Sequence, residues 1–329
     1  MQTNSDNSLG FQSLSGILIT AGFLLAIALY AFFHWQETLE LFGLLRRADT
    51  GWMILAILTQ IPTYIFAGIV WDLSARALNY SLTLKSLTEL AIEQLAVGQI
   101  IPSGGLAGNI IVIRAMKRFG LPTTLAIEIF FIETLSFYIA YALVALVSIL
   151  ILWWHNDITS LISTLVSIFF AIQVTLSFLI YAAVNHKNWR VLLWLKEKKF
   201  LPKLFGVIEN ISKDRVFSGR LLFETSLFRL GVFALDTLTL FAILRAIGAS
   251  ASLTTAFVAL VIASIAGTVV LLPGGIGGYE AASILILNLF GVPVGSAIAA
   301  TAILRGLTLW LPLIPGIILA RQDLGISKK

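Results

Sequence analysis

The sequence predicts an all-α polytopic membrane protein made of two inverted-topology repeats, each built round a broken, re-entrant-like helical hairpin. Three observations predict it. The first is composition: of 329 residues, 58% are hydrophobic and 12% charged, and mean hydropathy is +0.95. A chain of that kind lives in lipid. The second is the stretch Leu271-Leu272-Pro273-Gly274-Gly275-Ile276-Gly277-Gly278-Tyr279-Glu280, which sets one proline, four glycines and one carboxylate between two apolar runs. Proline removes a backbone donor and glycine loosens the chain. Irregular backbone at bilayer depth is tolerated only where protein or a wet cavity meets it. The third is a twin of that break. Ile101-Pro102-Ser103-Gly104-Gly105 opens a segment running to Phe119-Gly120-Leu121-Pro122, and Pro273 opens one running to Phe290-Gly291-Val292-Pro293. Proline to proline is 20 residues in both. A shift of 171 lays Pro102 on Pro273, Gly104 on Gly275, Asn109 on Glu280 and Thr134 on Arg305. Paired Gly/Pro breaks in corresponding halves point to a transporter binding site.

The elements follow in order as a single integral membrane domain, 1–329. Residues 1–13 are polar. The apolar run Ile17 to Phe33 has no Lys or Arg before it, which argues for a retained anchor over a cleaved signal. Residues 36–50 mix Glu37, Glu40, Arg46 and Arg47 with leucines and read as an amphipathic surface helix. The first repeat, about 51–154, holds a span from Trp52 to Leu78, a shorter helix from Thr83 to Ile100 carrying Glu89, Glu93 and Gln94, the Pro102 break, Leu106 to Phe119, and a long span from Leu125 to Trp154. Ile158 to Val184 is a further span. The second repeat, about 221–320, holds spans at Leu221–Ile247, Leu253–Leu272, Ile276–Phe290 and Val294–Ala320.

Net charge is +5, and the excess sits in residues 185–220. The reading that fits a membrane protein is a cytoplasmic loop held by the positive-inside rule and resting on anionic headgroups, not a nucleic-acid surface. The loop at 153–159 then falls outside and carries no Lys or Arg. If each broken pair enters and leaves by one face, the basic C-terminus is cytoplasmic. Arg46 and Arg47 then lie on the outer side, against the rule. The expected location is a bacterial cytoplasmic (inner) membrane. Three through-spans between the starts of the repeats invert one against the other, so the hairpins enter from opposite faces and their tips meet near the midplane.

The chemistry follows from the breaks. A helix that restarts after a glycine turn presents free N–H groups and a partial positive charge, a natural anion site. The candidate substrate-binding residues are Pro102, Ser103, Gly104, Gly105 and Asn109 on one tip, Pro273, Gly274, Gly275, Gly277, Gly278, Tyr279 and Glu280 on the other, and Arg305 in the last span. Glu280 lies in the first turn of its helix, placed to cap it or receive a cation. Arg305 needs a carboxylate or a phosphate; Glu280, Asp236, Glu133 and Glu128 are the candidates. Arg229 has Glu224 near it in sequence. Glu128, Glu133, Arg229 and Asp236 are cavity charges or, equally, ion pairs between helices. His34, His155 and His186 sit at the ends of apolar runs and form no metal-ligand cluster, and there is no cysteine, so no metal, cofactor or disulfide is expected.

The string Pro273-Gly274-Gly275-Ile276-Gly277-Gly278-Tyr279-Glu280, followed by Phe290-Gly291-Val292-Pro293 and Arg305, resembles the membrane region of the lysylphosphatidylglycerol synthase/flippase family. The Pro102–Gly108 stretch is similar to the family's as well. The resemblance covers nearly the whole chain. It implies a stand-alone flippase-like membrane domain without the aminoacyl-transfer domain, hence no enzyme activity, with Glu280 and Arg305 as matching site residues. The family's substrates include aminoacylated phospholipid, hopanoid-type lipid and polyprenyl-linked sugar. Where many members carry arginine beside an acidic residue, this chain has Glu133-Thr134, so the first-half partner of Arg305 departs from the pattern.

The expected function is therefore transport of a phospholipid or other polar-headgroup lipid between leaflets through a central polar cavity. The alternatives are a non-transporting partner of a lipid synthase and, behind it, a membrane enzyme on lipid-linked substrates. The partners are membrane lipids with an anionic headgroup, with a lipid-synthesis enzyme or a second copy of the chain left open.

Overall fold

In lipid the backbone has no water to bond to, so a spanning segment must be a helix or part of a closed barrel. The computed structural model, which describes residues 43–44, 46–100, 106–185, 210–270 and 272–320, uses helices alone: no strand occurs among the described residues. The run from Ile17 to Phe33, the Pro102–Gly105 break and most of the basic loop lie outside them. The chain divides into two units, Met1–Ala48 and Asp49–Lys329. In the first, Gly43, Leu44, Arg46 and Arg47 are helical. The rest of the account concerns the second.

Its helices are α1 Thr50–Ala77, α2 Leu84–Ile100, α3 Leu106–Arg118, α4 Thr123–Trp154, α5 Ser160–Asn185, a short α6 Lys213–Val216, α7 Gly219–Ala246, α8 Leu253–Val270, α9 Gly278–Leu289, α10 Val294–Arg305 and α11 Leu311–Ala320. A 3₁₀ turn, Pro273–Gly275, joins α8 to α9, and a π turn, Gly306–Trp310, joins α10 to α11. Six helical stretches are long and apolar enough to cross a membrane: Thr50–Ala77, Thr123–Trp154, Ser160–Asn185, Lys213–Ala246, Leu253–Val270 and Val294–Ala320. At 32 residues α4 is ~48 Å long, more than the ~30 Å hydrocarbon layer.

Lengths and caps recur along the chain. α1 and α7 both have 28 residues. Each ends in a left-handed residue, Asn79 (φ 62°) and Gly248 (φ 76°). The next N–H then reaches back to a carbonyl, Tyr80 to Ala75 at 3.0 Å and Ala249 to Leu244 at 2.9 Å. That is the Schellman arrangement, which satisfies carbonyls that the helix end leaves free. α3 and α9 end the same way at Gly120 and Gly291. Pro122 and Pro293 then open α4 and α10 from the N-cap.

α1 and α7 run antiparallel along their lengths. The Asp49 N–H donates to the Ala246 carbonyl at 2.8 Å, Trp52 meets Phe241 edge-on, the Thr59 and Thr239 hydroxyls bond at 2.9 Å, and Phe66 meets Phe228. The Phe66 ring lies where a Cβ on Gly231 would be. α8 is the most enclosed span, packed against α4, α5, α7 and α9. Its buried residues are small or β-branched, among them Ala256, Ala259, Val261, Ala263 and Ala266. Small residues let helices approach closely where lipid supplies no hydrophobic drive. Large apolar side chains such as Leu150, Val174, Phe223 and Ile314 are exposed instead, as a lipid-facing surface requires.

The α2–α3 contact is also a glycine contact. A Cβ at Gly108 would stand 2.6 Å from the Gln94 carbonyl oxygen and 3.2 Å from the Gly98 nitrogen, whereas a Cβ at Gly98 would meet nothing within 4 Å. Gly108→Ala should therefore lower stability by about 1–3 kcal/mol through overpacking. Gly98→Ala should leave it unchanged or raise it, since alanine is the better helix former. Thermal unfolding of the two variants in detergent, followed by tryptophan fluorescence, checks the contrast.

Candidate functional site

The site begins where α8 stops. Three glycines past Val270 hold positive φ: Gly274 at 62°, Gly275 at 66° and Gly277 at 89°. A side chain is strained in that region. Space forbids one too, because a Cβ on Gly275 would lie 2.8 Å from Gly267 Cα. The turn can therefore lie against α8 only as glycine. Gly277 is the N-cap of α9. It has no side chain to cap with, and Glu280 does the capping from the other side, its Oε2 accepting the Gly277 N–H at 2.6 Å.

Arg305, at the end of α10, completes the turn. Its Nε donates to Glu280 Oε1 at 2.7 Å, and its Nη2 donates to the Gly274 carbonyl. The guanidinium lies over the Tyr279 ring, 4.6 Å from the centroid. Of the four carboxylates that the sequence offered Arg305, Glu280 is the partner. The pair satisfies a carbonyl and an N–H that the break strips from the helix, and each charge answers the other. The π turn follows Arg305 at once; one-turn π segments often stand beside functional residues.

Beside this turn lies a cavity of about 600 Å³. α1 supplies Gln60, Thr63 and Tyr64 to its wall; α4 supplies Glu133, Thr134 and Tyr138; α7 supplies Arg229 and Asp236. Gly274, Gly275 and Tyr279 close one side. Arg229 Nη2 donates to Glu133 Oε1, with both side chains largely buried, and the guanidinium sits 5.9 Å from the Phe137 centroid. Arg229 thus pairs across helices with Glu133. Its sequence neighbour Glu224 pairs with Arg220 at 2.8 Å instead: position 224 is one helical turn from 220, which brings those two side chains together.

The other predicted residues are placed as follows. Glu128 is fully buried but is not on the cavity wall; its Oε1 accepts the Ser212 N–H at 2.9 Å and Arg215 Nη2 at 3.0 Å. It ties the start of α6 to α4. Gly278 packs α9 against α8, where a Cβ would meet the Val270 side chain at 2.6 Å. Pro273 begins the 3₁₀ turn. Asn109 lies in α3. Pro102, Ser103, Gly104 and Gly105 fall outside the described residues. Among the described residues no cluster of three or more His, Cys, Asp or Glu is arranged to hold a metal.

Sequence reasoning missed the neutral part of the wall. Gln60, Thr63 and Tyr64 flank Pro62 inside an otherwise apolar span, and Gln99 precedes the first break. Amides and hydroxyls beside an intrahelical proline are a readable signal, since the proline frees a backbone carbonyl and polar groups gather there.

The buried Arg229–Glu133 pair makes a measurable statement. Arg229→Met alone strands a carboxylate in the bundle and should cost about 3–5 kcal/mol of stability, while Arg229→Met with Glu133→Leu should recover most of that loss. A double-mutant cycle on unfolding midpoints checks it; additive losses would mean that the pair is not what holds these helices.

No curated protein matches the chain. The family described as the lysylphosphatidylglycerol synthase TM region matches residues 14–316, a stretch that takes in the glycine turn, the cavity wall and the Glu280–Arg305 pair. This chain therefore belongs to the family of the lysylphosphatidylglycerol synthase transmembrane region.

Proposed function

We propose that the protein moves a polar-headgroup lipid between the leaflets, the headgroup passing through the cavity while the tails stay in the bilayer. The observation that carries the reading is the wall itself. A cavity of about 600 Å³ set with amides, hydroxyls, Arg229 and Asp236 lies among helices whose outer faces are apolar. Polar groups inside a membrane bundle are costly and mark a substrate path. The glycine turn before α9 lines this cavity through Gly274 and Gly275, and an anionic headgroup suits a helix N-terminus. Arg305 and Glu280 serve by holding that turn in shape.

Inverted repeats with re-entrant hairpins are part of the proposal. Supporting them, α1 and α7 share length and cap and pack antiparallel, as corresponding helices related by a two-fold axis in the membrane plane would. α2 packs on α11 and α8 on α4, which are corresponding pairings under the same axis. The cytoplasmic placement of the basic loop and the C-terminus, in a bacterial inner membrane, rests on the charge bias.

The test is translocation of fluorescent phospholipids in proteoliposomes, read as the fraction of label that an impermeant quencher reaches. Wild type should exceed empty vesicles. Arg305→Gln should slow it roughly tenfold or more, the scale of losing one charge-assisted hydrogen bond. Rates equal to those of empty vesicles for the wild type would remove transport and favour a role as partner of a lipid synthase.

A further inference from the structure

Two oxygens on the cavity wall have no donor. Asp236 Oδ1 and Gln60 Oε1 are both buried and neither has a hydrogen-bond partner. Gln60 is 5% exposed, and both residues line the cavity. The two side chains stand on the same wall, Gln60 from α1 and Asp236 from α7, helices that the Thr59–Thr239 contact holds together. Local donors are already committed. Gln60 Nε2 donates to Thr63 Oγ1 at 3.1 Å, and the Thr63 hydroxyl donates to the Gln60 carbonyl at 2.6 Å. The Tyr64 hydroxyl donates to the Leu307 carbonyl at 3.4 Å, leaving only its lone pairs to offer.

The surrounding charges do not neutralise Asp236. From α1 the titratable group near it is Tyr64; from α9 it is Tyr279. α8 contributes the hydroxyls of Ser264 and Thr268 to the wall. Arg229 is two helical turns away on α7 and engaged with Glu133 of α4, beside Tyr138 on the same helix. Arg305 of α10 is engaged with Glu280 of α9. A carboxylate oxygen without a donor, on a wall that carries a second orphaned acceptor and whose arginines are ion-paired to other carboxylates, is short of one positive charge.

We infer that Asp236 and Gln60 form a binding site for a small cation, a proton or a sodium ion, inside the cavity. Size selects this class. Both orphaned oxygens are closed to a water-sized sphere, so an ammonium attached to a lipid does not reach them, whereas a proton or a bare ion needs only side-chain rotation. A proton arriving from water bonds to Asp236 Oδ1 and turns an acceptor into a donor. A sodium ion would take Asp236 Oδ1, Gln60 Oε1 and Tyr64 Oη as oxygen ligands. That the ion accompanies the lipid rests on the transport reading; its occupancy of the site does not.

The test is read without lipid movement, on the full chain in nanodiscs of neutral lipid. Infrared difference spectra are taken as pH is stepped, and melting temperature is compared in sodium chloride and choline chloride, for wild type, Asp236→Asn and Gln60→Met. For a proton, a carboxylic-acid carbonyl band grows as pH falls, is lost in Asp236→Asn and shifts in frequency in Gln60→Met. For sodium, the melting temperature rises with the logarithm of sodium concentration over choline, and both variants flatten the slope. A band that survives Asp236→Asn together with no sodium dependence overturns the inference, as does the absence of both signals. Should Asp236→Asn fail to fold, the wild-type and Gln60→Met measurements still decide. A protein that passes this test and moves no lipid keeps the site and loses the transport reading.

Discussion

The structure depends on one constraint: a helix broken within a bundle of membrane spans leaves amides and carbonyls that the protein itself must bond. The Pro273–Gly278 break meets it with one ion pair. Glu280 turns back on the Gly277 N–H, Arg305 reaches the Gly274 carbonyl, and the two side chains bond each other at 2.7 Å. One arginine–carboxylate contact thus answers both the donor and the acceptor left by the turn. It also ties α9 to α10, which the buried Ser283–Thr301 hydroxyl contact at 2.8 Å joins further along. The glycines are required for the same reason. Only a residue without a Cβ lets the turn approach Gly267 closely enough for Arg305 to span it.

Buried charge in this bundle sorts by what answers it. Glu128 is answered by Arg215 and the Ser212 amide and serves attachment, tying the segment before α7 to α4. Glu133 and Arg229 answer each other between α4 and α7, and the stacking of Phe137 with Phe233 reinforces that contact. Asp236 has an amide beside it and no cation. The difference is physical: in a low-dielectric interior a paired charge is a structural element, and an unpaired one is costly to keep. The neutral amides and hydroxyls of α1 then set the character of the wall, and Pro62 explains why they gather there.

Packing follows the solvent. With lipid as apolar as leucine, large side chains gain little by turning inward, so they cover the outside. Contact between helices is left to alanine, glycine and hydroxyl residues. α8 shows it along its buried face, and Ser136 with Thr225 shows it between α4 and α7, where the hydroxyls bond at 2.5 Å.

Much of this was legible in the chain. Helical spans follow from runs of apolar residues, because hydrocarbon leaves a backbone no alternative. The second break was legible because proline and four glycines act locally, and its capping carboxylate sits three residues past the N-cap, where helix geometry alone brings it back to Gly277. The spacing between prolines was legible too, and the matching lengths and caps of α1 and α7 accord with it. What the chain order left open is who meets whom. Glu280, Asp236, Glu133 and Glu128 were equal candidates for Arg305, and Glu224 for Arg229, because pairing between helices depends on rotation and depth, which no local rule sets. Only the packed bundle turns Arg229 toward Glu133, sends Glu128 away to Arg215, and leaves Asp236 beside Gln60 of another helix.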